Sequence, residues 1–466
     1  MTCDLLIVGA GPAGMAAAIA ARRAGLSVVV ADENPAAGGQ VYRAVMDGPL
    51  AKEDRLGADY RAGRPLAEAF AACGAQHLCR TTVFMIERQD AGGFTVSLAM
   101  PDRACLIEAG HVMIASGALE RPFPIPGWTL PGVMTAGAAQ TLLKTSAIVP
   151  EGPTVLAGCG PLLYLLAAQY AQAGIKLAAI LDTTPRGNWL GALPHLPGFL
   201  ASPYLFKGLK LLHEALSAHR LIRNVSALEA KGENQLSSVE AVAGGRRITI
   251  PAATLLLHQG VVPQINLAMA SGVSHLWNKV RLAFEPSLSA AGETDIRGLF
   301  ITGDSAGIAG AEAAAARGIL GALAIADRID PAGTAARQGQ RRDAVARLNR
   351  AQRGRAFLDA LCRPASQFRI PADDVIVCRC EDVAAGDLRR LIRQGAQGPN
   401  QLKVFSRAGM GPCQGRSCGL TLTELFAEQS GHSAQAIGHL RLRAPVKPVT
   451  VGQMAGLEPY RSEDAG

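Results

Sequence analysis

The stretch Gly9-Ala10-Gly11-Pro12-Ala13-Gly14 decides the fold of this chain of 466 residues. A short apolar segment typical of a buried strand precedes it, and an Ala-rich segment typical of a helix follows it. In that setting Gly9 permits a tight turn, Gly11 lets the backbone approach a pyrophosphate, and Gly14 lets the helix pack on the strand. The helix N-terminus adds free N–H groups and a positive dipole end. The stretch therefore predicts a dinucleotide site, and a tight strand-to-helix turn without a ligand is the alternative.

An acidic residue at the end of the next strand would hold the ribose hydroxyls of such a dinucleotide. The second apolar strand, predicted over residues 28–31, is followed directly by Asp32 and Glu33. Asp32 fits the strand length, whereas Glu33 fits by its distance from the glycine pair that begins at Gly38. Both residues are therefore candidates for ribose binding.

Three later motifs indicate that the dinucleotide is FAD. Gly38-Gly39-Gln40 follows the second strand, as in flavoproteins of the glutathione-reductase and thioredoxin-reductase type. A strand-like segment ends at Gly117, where such chains leave the FAD domain. Another ends at Gly303-Asp304, and in those flavoproteins this aspartate reaches the ribityl chain. Each motif is weak alone, but together they occur in the expected order.

A second turn, Gly158-Cys159-Gly160, lies where two-dinucleotide flavoproteins insert a nicotinamide-binding domain, and Asp182 ends the strand that follows it. Leu163 stands at the third glycine position, where a side chain is expected to move the helix away from the strand and crowd a pyrophosphate. NAD is therefore not expected as a working cofactor, and the alternatives for this site are poor NAD binding, another adenine nucleotide or a relic without a ligand. Thiol–disulfide reduction is not expected either, because no reactive Cys pair occurs in the two dinucleotide regions.

Composition and charge argue against several other classes of protein. Apolar residues make up 49% of the chain and charged residues 18%, which is unlike a long disordered chain. The net charge of +8 is concentrated between residues 337 and 369, where nine Arg and two Asp occur, so no nucleic-acid partner is expected. There is no targeting signal and no apolar run of transmembrane length. We therefore expect a cytoplasmic protein without a transmembrane segment.

Four of the ten cysteines form two close pairs near the C-terminus, Cys378 with Cys380 and Cys413 with Cys418. Four thiolates from two short turns suit a tetrahedral metal or a [2Fe–2S] cluster. The C-x-C spacing is unusual for zinc, and the glycines around the second pair leave backbone N–H groups free to point at inorganic sulfide. We predict a [2Fe–2S] cluster; zinc and four structural thiols are the alternatives.

The predicted fold class is α/β, with a two-dinucleotide-binding flavoprotein core similar to glutathione and thioredoxin reductases and a small helical [2Fe–2S]-binding C-terminal domain. The predicted domains are a split FAD-binding domain at 1–150 and 285–330, a second Rossmann-like domain at 151–284, a basic helical linker at 331–372, the [2Fe–2S] domain at 373–432 and an extended tail at 433–466.

The whole sequence resembles the alpha-type subunits of multi-subunit amino-acid and opine dehydrogenases. Besides the turns and the cysteines, the resemblance rests on Arg121-Pro122, on the following Pro126-Gly127-Trp128 and on residues 257–263. The family includes the larger, alpha-type component of opine oxidase, D-hydroxyproline dehydrogenase alpha, the middle component of hydrogen cyanide synthase and part of sarcosine oxidase alpha. The segment that carries Cys378, Cys380, Cys413 and Cys418 also resembles bacterioferritin-associated ferredoxin.

The resemblance implies a subunit that does not itself oxidise the substrate. In this family a beta-type, FAD-containing subunit oxidises the amine, and electrons pass through a second flavin, often FMN at the subunit interface, to iron–sulfur. The resemblance also allows a third partner, a small ferredoxin-like gamma subunit. No catalytic residues for substrate oxidation are predicted here, and His258 is interpreted as a satisfied core histidine. The competing hypotheses are a stand-alone NAD(P)H-dependent reductase and a non-enzymatic assembly subunit.

Overall fold

The computed structural model describes residues 2–51 and 56–460. Residues 1, 52–55 and 461–466, which belong to the predicted FAD domain and tail, lie outside the described residues. In chain order the strands are β1 Thr2–Val8, β2 Val28–Ala31, β3 Gln76–Leu78, β4 Thr82–Arg88, β5 Phe94–Ala99, β6 Ala104–Ile114, β7 Ala118–Glu120, β8 Val133–Thr135, β9 Thr154–Cys159, β10 Ala179–Asp182, β11 Leu221–Arg223, β12 Val225–Lys231, β13 Ser238–Ala243, β14 Arg246–Pro251, β15 Thr254–Gln259, β16 Val261–Pro263, β17 His275–Asn278, β18 Ala283–Pro286, β19 Leu299–Ile301, β20 Ile376–Cys378, β21 Val383–Ala384 and β22 Glu458–Pro459. The α-helices are α1 Pro12–Arg23, α2 Ala58–Arg61, α3 Arg64–Ala71, α4 Ala136–Ser146, α5 Pro161–Gln172, α6 Asn188–Ala192, α7 Leu196–Leu200, α8 Tyr204–Ala218, α9 Asn266–Ala270, α10 Ala311–Ile329, α11 Thr334–Gln352, α12 Arg355–Leu361, α13 Ala385–Arg393, α14 Pro399–Ser406, α15 Gly419–Ser430, α16 Ala434–Ile437 and α17 Val451–Ala455.

The first sheet places the loops of the predicted FAD site at one edge. Its path is β3-β2-β1-β6-β5-β4, and β19 and β22 also pair with β6. Strand β1 runs parallel to β2 and β6, with Val8 opposite both Ala31 and Ile114, and β19 ends opposite β6 at the same level. Because parallel strands end together there, the loops that follow β1, β2, β6 and β19 meet at their carboxyl ends.

The second sheet has the order β11-β10-β9-β15-β8 and carries the second glycine turn. Its strands are parallel, and Gly158 lies opposite both Asp182 and His258. A three-stranded antiparallel sheet, β12-β13-β14, packs beside it through a shared cluster of buried apolar side chains. The structure thus contains two Rossmann-like units, as the two glycine turns predict.

At two points the strand pairing and packing do not follow the predicted domain boundaries. The chain leaves the first domain near Gly117, not at residue 150, because β8 supplies an edge strand that pairs with β15 of the second sheet. It returns near Pro263, not at residue 285, since Leu267 and Val273 pack in the core of the first sheet. The crossing is made by β7 and β16, which pair with each other.

The predicted basic linker is helical and lies against the core. Helix α11 packs along α10, where Arg337 contacts Asp327 at 2.8 Å and Asp330 at 3.0 Å, and Arg341 also pairs with Asp327. Part of the positive charge is therefore neutralised within the chain. These ion pairs fix the start of α11 against the end of α10.

The predicted extended tail also needs correction. It contains two short helices, α16 and α17, and strand β22 pairs in parallel with the first residues of β6 in the first sheet. Leu440 and Leu442 are buried in the core of the C-terminal module, and the Val446 N–H donates to the Phe84 carbonyl. The proline-rich segment itself lies along the core, because its apolar side chains are buried there. We use the term cysteine module for residues 373–442.

No helix among residues 2–51 and 56–460 combines the length and the apolar character that crossing a bilayer requires.

Arg369→Met is expected to destabilise the chain by about 3–5 kcal/mol, because it removes the hydrogen-bonded counter-charge of a buried carboxylate. Arg369 pairs with Glu424, whose side chain is only 6% exposed. The matched control is Arg390→Met, which removes the exposed ion pair with Asp387 and is expected to cost about 0.5 kcal/mol or less. Urea unfolding followed by fluorescence and circular dichroism measures both, and equal effects of the two substitutions would contradict the prediction.

Candidate functional site: a nucleotide edge and a cysteine module

The first glycine turn is built as the sequence predicts. Gly9 has a φ of +104°, and a Cβ atom on it would lie 2.6 Å from the Ala115 carbonyl oxygen. A Cβ on Gly14 would lie 1.9 Å from the Gly9 carbonyl oxygen, so helix α1 approaches β1 too closely for any side chain there. The Gly38–Gln40 loop closes over this turn: its Gly38 N–H donates to the Ala10 carbonyl at 2.8 Å.

Two glycines leave a cleft between these loops. Gly39 has a φ of +59°, and a Cβ on it would come within 2.8 Å of the Gly11 Cα atom. Gly11 itself has an ordinary φ of −76° and marks the N-terminus of α1. The N-terminus of α1 thus lies beside Gly39, which has no room for a side chain, and the gap left there has the form of a pyrophosphate cradle. We call this edge, residues 9–14, 32–40, 115–117 and 302–304, the nucleotide edge.

The two acidic candidates have different surroundings. Asp32 is buried, and its carboxylate accepts hydrogen bonds from the Ala10 N–H at 2.5 Å and from the Asn34 N–H and side-chain amide. Glu33 is partly exposed and forms an ion pair with Lys447 of the tail. Asp32 therefore shapes the turn, and Glu33 keeps more of its carboxylate accessible at the surface of the edge.

The predicted ribityl residue lies at the same edge. Asp304 accepts hydrogen bonds from the N–H groups of Ala309 at 3.0 Å and Gly310 at 3.2 Å, which fixes it at the start of α10. Gly303 has a φ of +72°, and a Cβ on it would lie 2.8 Å from the Ala13 Cβ atom. Gly117 has a φ of +74° and accepts a hydrogen bond from the Gln264 N–H.

Sequence reasoning missed Lys144, which lies buried against the Gly38–Gln40 loop. Its ammonium donates to the carbonyls of Gln40 and Val41 at 3.0 Å and to the Gln140 side chain at 3.1 Å. Burial, followed by the charge of Arg43, lowers the pKa of Lys144 to about 7. The four-residue spacing from Gln140 places both side chains on one face of a helix. Nothing in the neighbouring sequence indicates that Lys144 contacts the Gly38–Gln40 loop.

The residues at the nucleotide edge fit a flavin dinucleotide. Besides the cleft at Gly11 and Gly39, two buried oxygens here have no hydrogen-bond partner, Thr302 Oγ1 and Gln264 Oε1. Burying an unpaired hydroxyl or amide oxygen costs free energy, so a polar ligand at this edge would satisfy groups that the chain itself leaves unpaired.

The four predicted metal-ligating cysteines come together as two pairs. The thiol of Cys378 is hydrogen-bonded with that of Cys418, and Cys380 with Cys413. Cys378 and Cys418 are buried, Cys413 is half-buried and Cys380 is exposed. Across residues 2–51 and 56–460, no three His, Cys, Asp or Glu side chains are grouped closely enough to form a metal site.

The surroundings of these thiols suit a bound cluster. The hydrogen bond from Cys418, followed by the backbone N–H groups of Gly409, Glu381 and Cys380, lowers the pKa of Cys378 to about 6. A Cβ on Gly411 would lie 2.2 Å from the Cys380 Cβ atom, so the second loop approaches the first only because it is glycine. Backbone N–H groups aimed at a thiolate stabilise its charged form, which is the form that ligates iron or zinc.

The cysteine module is fixed to the dinucleotide domains near this edge. The Trp128 indole N–H donates to the Ile376 carbonyl at 2.8 Å, and the Asn266 amide donates to the Gln414 carbonyl at 2.9 Å. Trp128 is only 8% exposed, and Arg121, Phe123 and Ile125 of the same stretch are buried as well. The apolar side chains of this stretch pack in the core beside the second sheet, and Trp128 also contacts the module.

A cavity of about 230 Å³ lies between the domain junction and the cysteine loops. Arg379, Arg416 and Ser417 line it from the cysteine module, and the chain around Glu120 and Met134 lines it from the junction. Glu120 also accepts from His258, whose Nδ1 lies 2.7 Å away, so His258 is a buried and satisfied histidine, as expected.

Comparison with known protein families supports the two-part organisation. Residues 3–339 match the pyridine nucleotide-disulphide oxidoreductase family, and residues 374–457 match the sarcosine oxidase A3 domain. Among solved structures, L-proline dehydrogenase from P. horikoshii superposes with a TM-score of 0.72 over 97% of this chain and 79% of that one, at 19% identity. Thioredoxin reductase from T. acidophilum superposes with a TM-score of 0.52 over 70% of this chain and 99% of that one, at 21% identity. The flavoprotein-reductase type of core is therefore confirmed.

Curated relatives match along nearly the whole chain. The A-type subunit of opine oxidase from Agrobacterium tumefaciens is 45% identical over 97% of this chain and 92% of its own length. Hydrogen cyanide synthase subunit HcnB of Pseudomonas aeruginosa is 33% identical over 95% of this chain and 96% of its own length. The alpha subunit of sarcosine oxidase from Rhizobium meliloti is 28% identical over 97% of this chain but 42% of its own length. The chain therefore belongs to the pyridine nucleotide-disulphide oxidoreductase family and, within it, to the alpha-type subunits represented by the A-type subunit of opine oxidase.

Proposed function

We propose that this chain is the electron-transfer subunit of a heteromeric dehydrogenase that oxidises an opine, a D-amino acid or a proline-like amine on a beta-type partner subunit. When bound, FAD would accept electrons in pairs and release them singly, and a [2Fe–2S] cluster would carry them one at a time towards an acceptor. The observation that carries the proposal is the docking of the four-cysteine module beside the nucleotide edge, through Asn266 and Trp128.

The chain's own residues divide the binding of FAD between them. Gly9, Gly11 and Gly14 shape the turn, and the N-terminus of α1 supplies N–H groups and a positive dipole end for the pyrophosphate. Glu33 is the proposed ribose ligand, since most of the Asp32 acceptor positions are already used within the turn. Asp304 is the proposed ribityl ligand, and Lys144 holds the Gly39–Gln40 loop in place.

The cysteine module is proposed to hold the cluster through Cys378, Cys380, Cys413 and Cys418. Cys380 is exposed, so one side of the site faces the surface and is open to electron exchange. The N–H groups around Cys378 would offset the negative charge of the ligating thiolates. The guanidinium group of Arg379 lies 5.2 Å from the centre of the Trp128 ring and adds positive charge on the inner side.

Two exposed apolar surfaces support an assembled subunit instead of a free-standing enzyme. Beside the cysteine loops, Val404 is 72% exposed, Phe405 67% and Met410 47%. A larger set of exposed apolar side chains lies on α6 to α8, comprising Trp189, Leu190, Leu193, Leu200, Phe206, Leu209 and Leu216. Contiguous apolar surface of this kind marks protein interfaces. We assign the surface at Phe405 to the beta-type partner, because electrons must cross near the cluster, and an interfacial FMN would belong there.

The proposal predicts that the isolated chain does not oxidise amines. Expressed with its partner, the chain should support amine oxidation with an artificial electron acceptor; expressed alone, it should show at most background rates. The physical reason is that amine oxidation needs a pocket that desolvates the amine and grips its carboxylate, commonly with a bidentate Arg. Turnover by the isolated chain at the rate of the complex would contradict the proposal, and the flavin content of both preparations is the control for loading.

A further inference from the structure

We propose that the linker segment 355–369 occupies the ligand crevice of the second dinucleotide domain, so that this domain anchors the cysteine module instead of binding a nicotinamide nucleotide. The inference depends on the packing of the linker alone and holds whichever electron path the chain serves.

The crevice is defined by the ends of three parallel strands. Strand β9 ends at Cys159, β10 at Asp182 and β15 at Gln259, and the register pairs Gly158 with Asp182 and Cys159 with Gln259. In open α/β sheets ligands bind in the crevice outside the carboxyl ends of the strands. A nicotinamide nucleotide in this domain would therefore lie against these residues.

The linker crosses this crevice and contacts two of the three strand ends directly. The Cys362 carbonyl lies 3.6 Å from the Cys159 thiol, which belongs to the glycine turn itself. The Gln259 side-chain amide donates to the Phe368 carbonyl at 3.1 Å, in a buried position. Cys159 is buried and Cys362 is half-buried. Burial raises the pKa of the Cys159 thiol to about 12 and also raises the pKa of the Cys362 thiol.

Flanking contacts hold the linker in this position. The Asn188 side-chain amide donates to the carbonyls of both Leu361 and Arg363, each at 2.8 Å. Phe357 is buried and stacks on Phe199, with ring centres 4.4 Å apart. A segment that is both hydrogen-bonded and stacked loses several favourable contacts on release, so a nucleotide would have to replace them to enter.

Groups that would recognise a nucleotide are already occupied. Asp182, the ribose-binding candidate of this domain, accepts from the Tyr164 hydroxyl at 2.7 Å and from the Thr184 N–H at 2.9 Å. Leu163 is fully buried, where the first turn has a glycine with no room for a side chain. The second domain therefore differs from the nucleotide edge at the pyrophosphate position, where Leu163 stands in place of a glycine such as Gly14.

The same segment leads directly into the cysteine module. Phe368 is buried and packs edge-on against Phe123, with ring centres 5.4 Å apart, and the next residue, Arg369, pairs with Glu424 of α15. The second domain thus holds the residues that lead into the cysteine module against the end of β15, where a nucleotide would otherwise bind.

Hydrogen exchange read by mass spectrometry on the purified, flavin-loaded chain tests the anchoring. Amides of residues 361–369 should be protected without any nucleotide. Asn188→Ala should speed their exchange by about tenfold or more, because two carbonyls lose their donor. Asn234→Ala, at an exposed turn position, is the matched control and should leave exchange of this segment unchanged. Wild-type exchange of residues 361–369 at the rate of an unstructured peptide would overturn the proposal.

NADH binding tests the occlusion. Neither the wild type nor Leu163→Gly should bind NADH more tightly than about 1 mM by calorimetry, because the linker stays in place when the glycine pattern is restored. Micromolar binding by either protein, accompanied by new protection of residues 158–163, would overturn the proposal. Circular dichroism verifies that Leu163→Gly is folded; if it is not, the wild-type arm and the exchange experiment still decide.

Discussion

Replacing Gly11 with valine should weaken flavin binding by about tenfold to a hundredfold, the equivalent of about 1–3 kcal/mol of overpacking. A Cβ on Gly11 would meet its nearest neighbour, the Gly39 Cα atom, at 3.8 Å, and the backbone of Gly11 has a φ of −76° that any residue adopts. The chain should therefore fold, while the branched side chain fills the cleft proposed for the pyrophosphate. Flavin released per chain on denaturation measures the effect.

The matched control for this substitution is Gly339→Val, at a helical position where an added Cβ meets no atom within 4 Å. It should keep the full flavin content. Gly14→Ala would be a poor choice, since its Cβ would lie 1.9 Å from the Gly9 carbonyl oxygen and would disturb the fold itself. A folded Gly11→Val protein with wild-type flavin content would contradict the assignment of the first turn.

Cys413→Ser should abolish the visible absorbance of the cluster and reduce bound iron and acid-labile sulfide from about two each per chain to near zero. Four thiolates complete the coordination of two irons, and Cys413 is one member of the pair formed with Cys380. The flavin should remain, because Gly9–Gly14 and the cysteine loops belong to different parts of the fold.

Cys73→Ser is the matched control, since Cys73 is another half-buried free cysteine but lies far along the chain from the module. It should keep iron, sulfide and colour. Anaerobically purified wild-type protein with about one zinc per chain and no sulfide would contradict the iron–sulfur assignment and favour the zinc alternative.

Local patterns in the sequence predict the nucleotide edge well. Strand, glycine turn and helix are contiguous around Gly9, and the parallel register brings the distant Asp304 to the same edge. Such features follow from steric rules that act within a few residues. Lys144 could not be predicted, because its contact with the Gln40 carbonyl depends on how α4 packs across the domain boundary.

Domain boundaries and the linker show where local reasoning ends. The second glycine turn suggests a boundary near residue 150, but the edge strand β8 precedes it and is recruited by pairing with β15. The nine arginines between residues 337 and 369 suggest a solvated helix, yet Arg337 pairs with Asp327 of the preceding α-helix and Arg369 with the distant Glu424. Long-range pairing of this kind leaves no periodic signal in the sequence.

Anaerobic mixing of the purified alpha–beta complex with a panel of opines, proline-like and other amino acids, followed by freezing and electron paramagnetic resonance, tests the central claim most directly. The account predicts that a substrate that bleaches the flavin also produces the signal of a reduced [2Fe–2S] cluster, that Cys413→Ser removes this signal while bleaching persists, and that the isolated chain gives neither response. Reduction of the isolated chain by the amine at the rate of the complex, or flavin bleaching in the wild-type complex that never reaches a cluster, would contradict it.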